Sequence, residues 1–138
     1  MDESFLEIHE YSGQGYHPLV DYGAWRVAVL NYAEELLPQN ISHMQRHDET
    51  DEVFVLMQGR CVLFFGIGDE QVTSILAQDM EPLKLYNVKK SVWHTHTLSE
   101  GSMVLIVENR DTNEANSPHA TLNQAQRKQL VDLYAALQ

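Results

Sequence analysis

The sequence contains little cysteine, few basic residues and no long apolar run. Its 138 residues include a single cysteine, Cys61, so no disulfide can form within the chain, which favours a reducing compartment. Lys and Arg number 9 against 20 Asp and Glu, which gives a formal net charge of -11. Such a surface repels phosphate backbones and anionic lipids, so neither nucleic acid nor a membrane is expected as a partner.

The apolar segments and the N-terminus indicate where the protein works. No apolar run approaches the length of a membrane span, and residues 1–7 lack the basic start and apolar region of a signal peptide. We therefore expect a cytoplasmic protein. With 43% hydrophobic residues, the chain can form one hydrophobic core, so residues 1–138 are predicted to be a single domain.

Short apolar segments separated by turn residues predict an all-β sandwich or barrel. A hairpin turn is predicted at Gly59-Arg60. The barrel core is placed at about 25–110, behind an N-terminal extension at 1–24. The segments with strand-like patterns are 25–32, 41–47, 52–57, 61–65, 72–76, 83–88, 92–96 and 103–108.

One amphipathic helix is predicted at the C-terminus, at about 121–137. Thr121 and Gln124 have the spacing of a capping box, which marks the start of a helix. The apolar residues at helical spacing form one face and are Leu130, Leu133, Tyr134 and Leu137. This apolar face predicts packing on the β body or on a second copy of the chain.

Four of the seven histidines fall into two short clusters. Side chains in a strand alternate between its faces, so His43, Gln45 and His47 are predicted to project the same way. By the same rule, His94 and His96 share a face. In an all-β fold these two segments can lie side by side, which would bring the imidazoles together.

Glu52 opens an apolar strand five residues after His47. A carboxylate that faces a core is costly unless a cation compensates it. A bound metal ion satisfies both side chains at once. With the imidazole of His94, the group suits a divalent transition metal: Zn²⁺, Mn²⁺, Ni²⁺ or Fe²⁺.

These residues resemble the first motif of the cupins, the double-stranded β-helix family. That motif reads Gly, five residues, His-x-His, three or four residues, Glu, six residues, Gly. Its second His, its Glu and its closing Gly fall on His47, Glu52 and Gly59. Gln45 stands where the family has the first His, and Gln39 where it has the leading Gly.

The second cupin motif is matched more loosely. It reads Gly, five residues, Pro-x-Gly, two residues, His, three residues, Asn, and its His falls on His94. Lys89 and Ser91 occupy the Pro and Gly positions, while Leu83 replaces the leading Gly and Leu98 the final Asn. The resemblance spans about 27–108 and implies a cupin jelly roll with a C-terminal helix.

The resemblance also implies a set of metal ligands. A cupin metal is usually held by three histidines and one glutamate, of which this chain keeps His47, Glu52 and His94. Gln45 can offer its amide oxygen, a weaker ligand than imidazole. His96 or His43 can supply the missing imidazole, or act as the catalytic group that moves a proton.

Two functions follow from the resemblance. The first is a metal-dependent enzyme of the lyase, isomerase or hydrolase type, acting on a small polar carboxylate, sugar acid or ureido compound. The alternative is a non-catalytic cupin that binds or senses a small ligand. Cupins commonly pair through sheet edges or an N-terminal strand, so a homodimer is expected.

Overall fold

The computed structural model describes residues 1–137 and contains two five-stranded antiparallel sheets packed face to face. The strand order is β1-β2-β9-β4-β7 in the first sheet and β10-β3-β8-β5-β6 in the second. This arrangement is the predicted all-β jelly roll. The strands are β1 (Gly15–Tyr22), β2 (Trp25–Asn31), β3 (His43–Gln45), β4 (Glu52–Gln58), β5 (Cys61–Ile67), β6 (Ser74–Asp79), β7 (Leu85–Val88), β8 (Trp93–Leu98), β9 (Met103–Asn109) and β10 (His119–Thr121).

Two apolar layers hold the molecule together. One lies between the sheets and includes Phe54, Leu63 and Ile106. The other lies on the outer face of the second sheet, beneath the C-terminal helix. Strand β5 contributes to both layers, since Leu63 faces the interior while Phe64 faces the helix. A strand covered on both faces has no polar side to present, which explains its continuous apolar sequence.

The C-terminal helix, α1 (Gln124–Ala136), confirms the predicted element but begins later than expected. Asn123 is its cap: its side chain accepts a hydrogen bond from the Gln126 backbone N–H at 2.8 Å, and the Gln126 side chain accepts from the Asn123 N–H at 2.9 Å. The cap predicted at Thr121 was wrong, because Thr121 ends strand β10. Leu130 is fully buried against the second sheet, as the apolar stripe predicted. Among the described residues, no helix combines the length and hydropathy needed to cross a membrane.

Two further expectations need correction. The turn at Gly59-Arg60 is not a hairpin, because β4 and β5 belong to different sheets. Gly59 has a φ of +81°, and a Cβ there would lie 2.6 Å from the Ser102 Cα, so the sheet-to-sheet passage needs glycine. Strand β1 lies inside the stretch assigned to the N-terminal extension. It pairs with β2, so the sheet begins at Gly15.

Candidate metal site in the barrel

Glu52, His47 and His94 converge inside the barrel and are all buried. Glu52 is the first residue of β4, His94 is the second residue of β8, and His47 lies two residues beyond β3. Glu52 Oε1 lies 3.1 Å from His47 Nε2 and 2.9 Å from His94 Nε2. One potential ligand atom from each residue falls within 4.8 Å of the others. Three of the four residues predicted to bind metal are therefore brought together.

The other ring nitrogen of each histidine has a partner of its own. His94 Nδ1 donates a hydrogen bond to the Val92 carbonyl oxygen at 3.0 Å, so the proton of a neutral His94 ring sits on Nδ1. His47 Nδ1 lies 2.7 Å from the Ser117 hydroxyl, which in turn donates to Asn116 at 3.3 Å. Ser117 is then free to accept from His47 Nδ1.

In this arrangement the Nε2 lone pair of a neutral His94 faces a carboxylate oxygen, and that of a neutral His47 does so when Ser117 accepts from its Nδ1. Lone pairs facing each other are repulsive, so a cation must lie between them: either a proton on a ring or a metal ion. Histidines that bind metals almost always donate their other N–H to a carbonyl, carboxylate or water. The donor set therefore fits a divalent transition metal.

The charges in the cluster support each other. Burial opposes ionisation of Glu52, but the hydrogen bonds from His47 and His94 outweigh it and hold the pKa of this carboxyl well below its usual range. For His47, burial lowers the pKa, yet the hydrogen bond and charge of Glu52 raise it above its ordinary value. In the absence of metal, an imidazolium–carboxylate pair is the natural state of the cluster.

The acidic loop before β4 ties the two ligand-bearing segments together. The Ser91 backbone N–H donates to the His47 carbonyl oxygen at 2.8 Å, and the Ser91 hydroxyl donates to Asp48 at 2.8 Å. Asp51 accepts from the Lys90 N–H at 2.7 Å. The acidic run, interpreted from sequence as a solvated loop, therefore fixes the segment that leads to His94.

Two positions where the second cupin motif has glycine keep a glycine-like backbone. Leu83 has a φ of 66° and Ser91 a φ of 65°, and they are the two non-glycine residues in the described chain with positive φ. Residues other than glycine rarely adopt this left-handed backbone conformation, since it costs about 1–2 kcal/mol. The backbone thus supports the alignment that placed His94, although the glycines themselves are replaced.

Gln45, His96 and His43 line the cavities around this cluster. Gln45 is directly opposite His94 in the strand register, and it lines the interior cavity of about 470 Å³ together with His47 and Glu52. His96 lines the same cavity. His43 lines a neighbouring cavity of about 320 Å³, and its ring stacks on His119 with the centroids 4.8 Å apart.

The surroundings of His96 make it a weaker base than an ordinary histidine. Its Nδ1 is buried and has no hydrogen-bond partner in the described chain. Burial lowers the pKa of His96 to about 4. The ring is therefore neutral at physiological pH, and it is a weaker base than a histidine of ordinary pKa.

The sequence did not single out a second polar group in the same cavity. Glu108 Oε1 accepts hydrogen bonds from the Tyr16 hydroxyl at 2.7 Å and from Arg26 Nη2 at 3.1 Å. All three residues line the cavity that contains Glu52. One signal was available: Glu108 follows Val104 and Ile106 at the inward positions of β9, where an apolar residue would be expected.

No protein-family model matches this sequence, and no curated protein matches it either. Solved structures do resemble it. A cupin-2 domain-containing protein from Shewanella frigidimarina is 19% identical with a TM-score of 0.52, over 72% of this chain and 85% of that one. CapF from Staphylococcus aureus, a capsular polysaccharide assembling protein, is 14% identical with a TM-score of 0.58, over 88% of this chain and 34% of that one.

A third similar structure is a variant of Streptomyces PAC13 with uridine. It is 11% identical, with a TM-score of 0.54, over 83% of this chain and 87% of that one. PAC13 is described as a nucleoside dehydratase. Two facing antiparallel sheets, the buried His-Glu-His group and these neighbours together show that this chain has the cupin fold.

Proposed function

We propose that this protein is a metal-dependent cupin enzyme of the lyase, isomerase or hydrolase type. Its substrate is a small polar metabolite: a carboxylate, a sugar acid or a ureido compound. The observation that carries the proposal is the orientation of His47 and His94, whose Nε2 atoms both face Glu52 Oε1. PAC13 supports it, since a protein of this fold carries out a dehydration.

Each residue has a distinct role in this proposal. A divalent metal held by His47, Glu52 and His94 would polarise an oxygen of the substrate as a Lewis acid. Gln45, beside His94, offers an amide oxygen to the metal or an N–H to the substrate. The barrel walls exclude bulk water from the polar groups, which strengthens every electrostatic interaction among them.

Metal analysis of protein purified without a His tag tests the proposal. We expect about one divalent transition metal per chain after reconstitution, and loss of binding in His47→Ala. His119→Ala removes an exposed imidazole outside the cluster and is the matched control, which should bind as the wild type does. If reconstitution does not raise the metal content, or if His47→Ala binds as well as His119→Ala, the proposed site is wrong.

Gln45→His gives a second measurement at the same site. If Gln45 is a ligand, imidazole at this position should tighten binding, because imidazole is a better donor to these metals than an amide oxygen. Unchanged affinity would show that Gln45 is not a ligand. Competition with a chelator of known affinity, followed by absorbance, measures the difference.

A non-catalytic cupin that binds a small ligand is the alternative. The low pKa of His96 favours it, because the cavity histidine that is not proposed as a metal ligand is then a weak base near neutral pH. Turnover separates the two functions. A ligand that binds to the metal-loaded protein and is recovered unchanged, from a panel that includes close analogues, supports the alternative.

We also propose that a second copy of the chain covers the outer face of the first sheet. On β4 and β9 the outward residues are apolar as well as the inward ones. No α-helix of the described chain packs over this face as α1 does over the other sheet, although residues 9–14 line a surface cavity together with Met57 and Leu105. The outward residues are half-buried or exposed and carry no charge. They include Val53, Val55, Met57, Leu105 and Val107.

Charge favours this face over the rest of the surface for pairing with a copy of the same chain. Two molecules of net charge -11 repel each other wherever their acidic residues meet, so an uncharged apolar face is where they can approach. Light scattering should give twice the chain mass for the wild type and the chain mass for Val55→Lys. Leu76→Lys, at an exposed leucine of the other sheet, is the control and should stay dimeric. A monomeric wild type would contradict the proposal.

A further inference from the structure

We propose that Glu108 is a substrate-binding residue that accepts a hydrogen bond from a hydroxyl group of the substrate. The substrate then has an oxygen ligand for the metal at one end and a hydroxyl at the other, and a second anionic group is rejected. This inference rests on the proposed metal site and narrows its substrate class.

The strand register places Glu108 beside Glu52. Val53 of β4 is paired with Val107 of β9, so the next residues along each strand, Glu52 and Glu108, lie opposite each other at the end of the ladder. Both point inward, and residues opposite each other in an antiparallel pair have Cβ atoms about 5 Å apart. A small molecule held at Glu52 therefore lies within reach of Glu108.

The hydrogen bonds of Glu108 leave one of its oxygens available. Tyr16 and Arg26 both donate to Oε1, and no described residue donates to Oε2. Tyr16 and Arg26 thus fix the carboxyl group in place. A carboxylate oxygen accepts hydrogen bonds and cannot donate them, so the complementary group on a ligand is a donor such as a hydroxyl.

The charges around the cavity disfavour a second anion. Among the described residues, the one arginine that lines it, Arg26, is already paired with Glu108. Glu35 and Glu114 are exposed and line the same cavity, so a ligand enters past further negative charge. A like charge beside a buried carboxylate is repelled strongly, because the low dielectric of the interior screens it poorly. A ligand with one anionic group can place it on the metal, but a dianion cannot avoid Glu108.

Three apolar side chains form part of the cavity wall. Leu30, Leu36 and Ile106 line the cavity, whose volume of about 470 Å³ is in the range of sites for small metabolites. Apolar walls do not compete for a ligand's hydroxyl groups. Glu108 and the metal then orient the ligand together with the other polar side chains of the lining.

Matched pairs of small acids test the inference on Co²⁺-loaded protein, whose visible absorption reports a ligand that binds at the metal. The probes are ω-hydroxy acids of three to five carbons, the dicarboxylates of the same length and the unsubstituted acids. We expect the best hydroxy acid to bind at least tenfold more tightly than both its dicarboxylate and its unsubstituted acid. Equal affinities, or no binding by any of the probes, would overturn the inference.

Glu108→Gln tests the residue itself. The glutamine can keep an oxygen toward Tyr16 and Arg26 while replacing the free carboxylate oxygen by an N–H donor. We expect the preference to invert, with the dicarboxylate gaining at least tenfold relative to the hydroxy acid. An unchanged preference in a variant that still takes up one Co²⁺ would show that Glu108 does not contact the ligand.

The two proposals fail in different ways. A wild-type protein that takes up no Co²⁺ refutes the metal site, and this inference with it. A protein that takes up one Co²⁺ per chain but binds the dicarboxylate as tightly as the hydroxy acid refutes the role of Glu108 alone. If Glu108→Gln does not fold, the wild-type comparison of matched probes still decides.

Discussion

Glu52 and Glu108 are neighbouring buried glutamates in the same cavity, yet they are held by opposite kinds of partner. Glu52 is paired with two imidazoles, whose nitrogen lone pairs can bind a metal. Glu108 is paired with a phenol and a guanidinium, neither of which has a lone pair suited to that purpose. The neighbours of each glutamate thus suit it to a different role.

Their pKa shifts differ in the same way. Burial and the hydrogen bonds of His47 and His94 act against each other at Glu52, and the hydrogen bonds prevail, so its pKa is lowered. Burial together with the charge of Glu52 raises the pKa of Glu108, despite the bonds from Tyr16 and Arg26. Glu52 therefore stays ionised and available to a metal, whereas burial and the negative charge of Glu52 oppose the ionisation of Glu108.

The largest expected difference between the two glutamates is in metal affinity. Glu52→Gln replaces a charged ligand by a neutral one, and we expect affinity to fall by more than about 100-fold, beyond the 10- to 100-fold loss usual for outer partners of a metal site. Glu108→Gln should lower it by less than about tenfold, and Glu35→Gln, at the exposed mouth, should leave it unchanged. Competitive titration with a chelator measures all three. Equal losses for Glu52→Gln and Glu108→Gln would remove the distinction.

The next effect concerns stability and the cation that Glu108 requires. Arg26→Met leaves a buried carboxylate with the Tyr16 hydroxyl as its remaining partner. Removing the cation from a buried ion pair lowers the free energy of unfolding. Because the Arg26 side chain is 15% exposed, we expect a loss of about 2 kcal/mol in the free energy of unfolding. The double variant Arg26→Met with Glu108→Gln should recover part of it. Denaturant unfolding measures both, and a double variant no more stable than Arg26→Met would contradict the pairing.

The dependence of stability on pH distinguishes the two carboxyls without disrupting the fold. The lowered pKa of Glu52 gives stability that is present above its unfolded pKa of about 4.3 and is lost as pH falls through the folded value. The raised pKa of Glu108 gives stability that is present below about 4.3 and is lost as pH rises through the folded value.

The two glutamine variants should therefore change opposite limbs of the profile. In chelator-treated protein, Glu52→Gln should flatten the loss of stability in acid, and Glu108→Gln should flatten the loss above about pH 4.3. The raised pKa of His47 adds stability below about pH 6.5 that is lost as pH rises; it remains in Glu108→Gln but is removed in Glu52→Gln, because Glu52 causes it. Urea unfolding at a series of pH values measures the limbs. An acid limb that is unchanged in Glu52→Gln, or flattened in Glu108→Gln, would refute the assignment.

The sequence predicted one of these glutamates and not the other. Glu52 was predicted because it follows His47 by five residues, so a local motif carried the signal. Tyr16 and Arg26 are separated from Glu108 by 92 and 82 positions, and they meet it through the register of β1, β2 and β9. Long-range register cannot be derived from spacing alone, particularly where the strand has apolar residues on both faces.

The fold, too, was predicted where a local pattern carried the signal. The cupin jelly roll and the C-terminal helix were confirmed, because alternation and helical spacing are local patterns. Strand β1 was missed, since Gly13, Gly15 and Pro18 are typical of a loop. Pro18 is tolerated because β1 is an edge strand of its sheet, where one row of N–H groups needs no partner. The metal ligands and the assignments of His43 and His96 to catalysis stay predictions.

The smallest expected effect comes from Tyr16, which lies at the mouth of the cavity and is 40% exposed. Tyr16→Phe removes one hydrogen bond to Glu108 and keeps the ring, and we expect a loss of about 1 kcal/mol in stability. It should also raise the pKa of Glu108 further, because one donor to its charged form is gone. Carboxyl-carbon NMR of the two glutamates measures both titrations.

Tyr22→Phe, which changes an exposed phenol outside the cavity, is the control and should shift neither titration. The titration of Glu52 should be nearly unchanged in Tyr16→Phe, since its hydrogen bonds come from the imidazoles; a shift of Glu52 as large as that of Glu108 would show that the two carboxyls behave as one group.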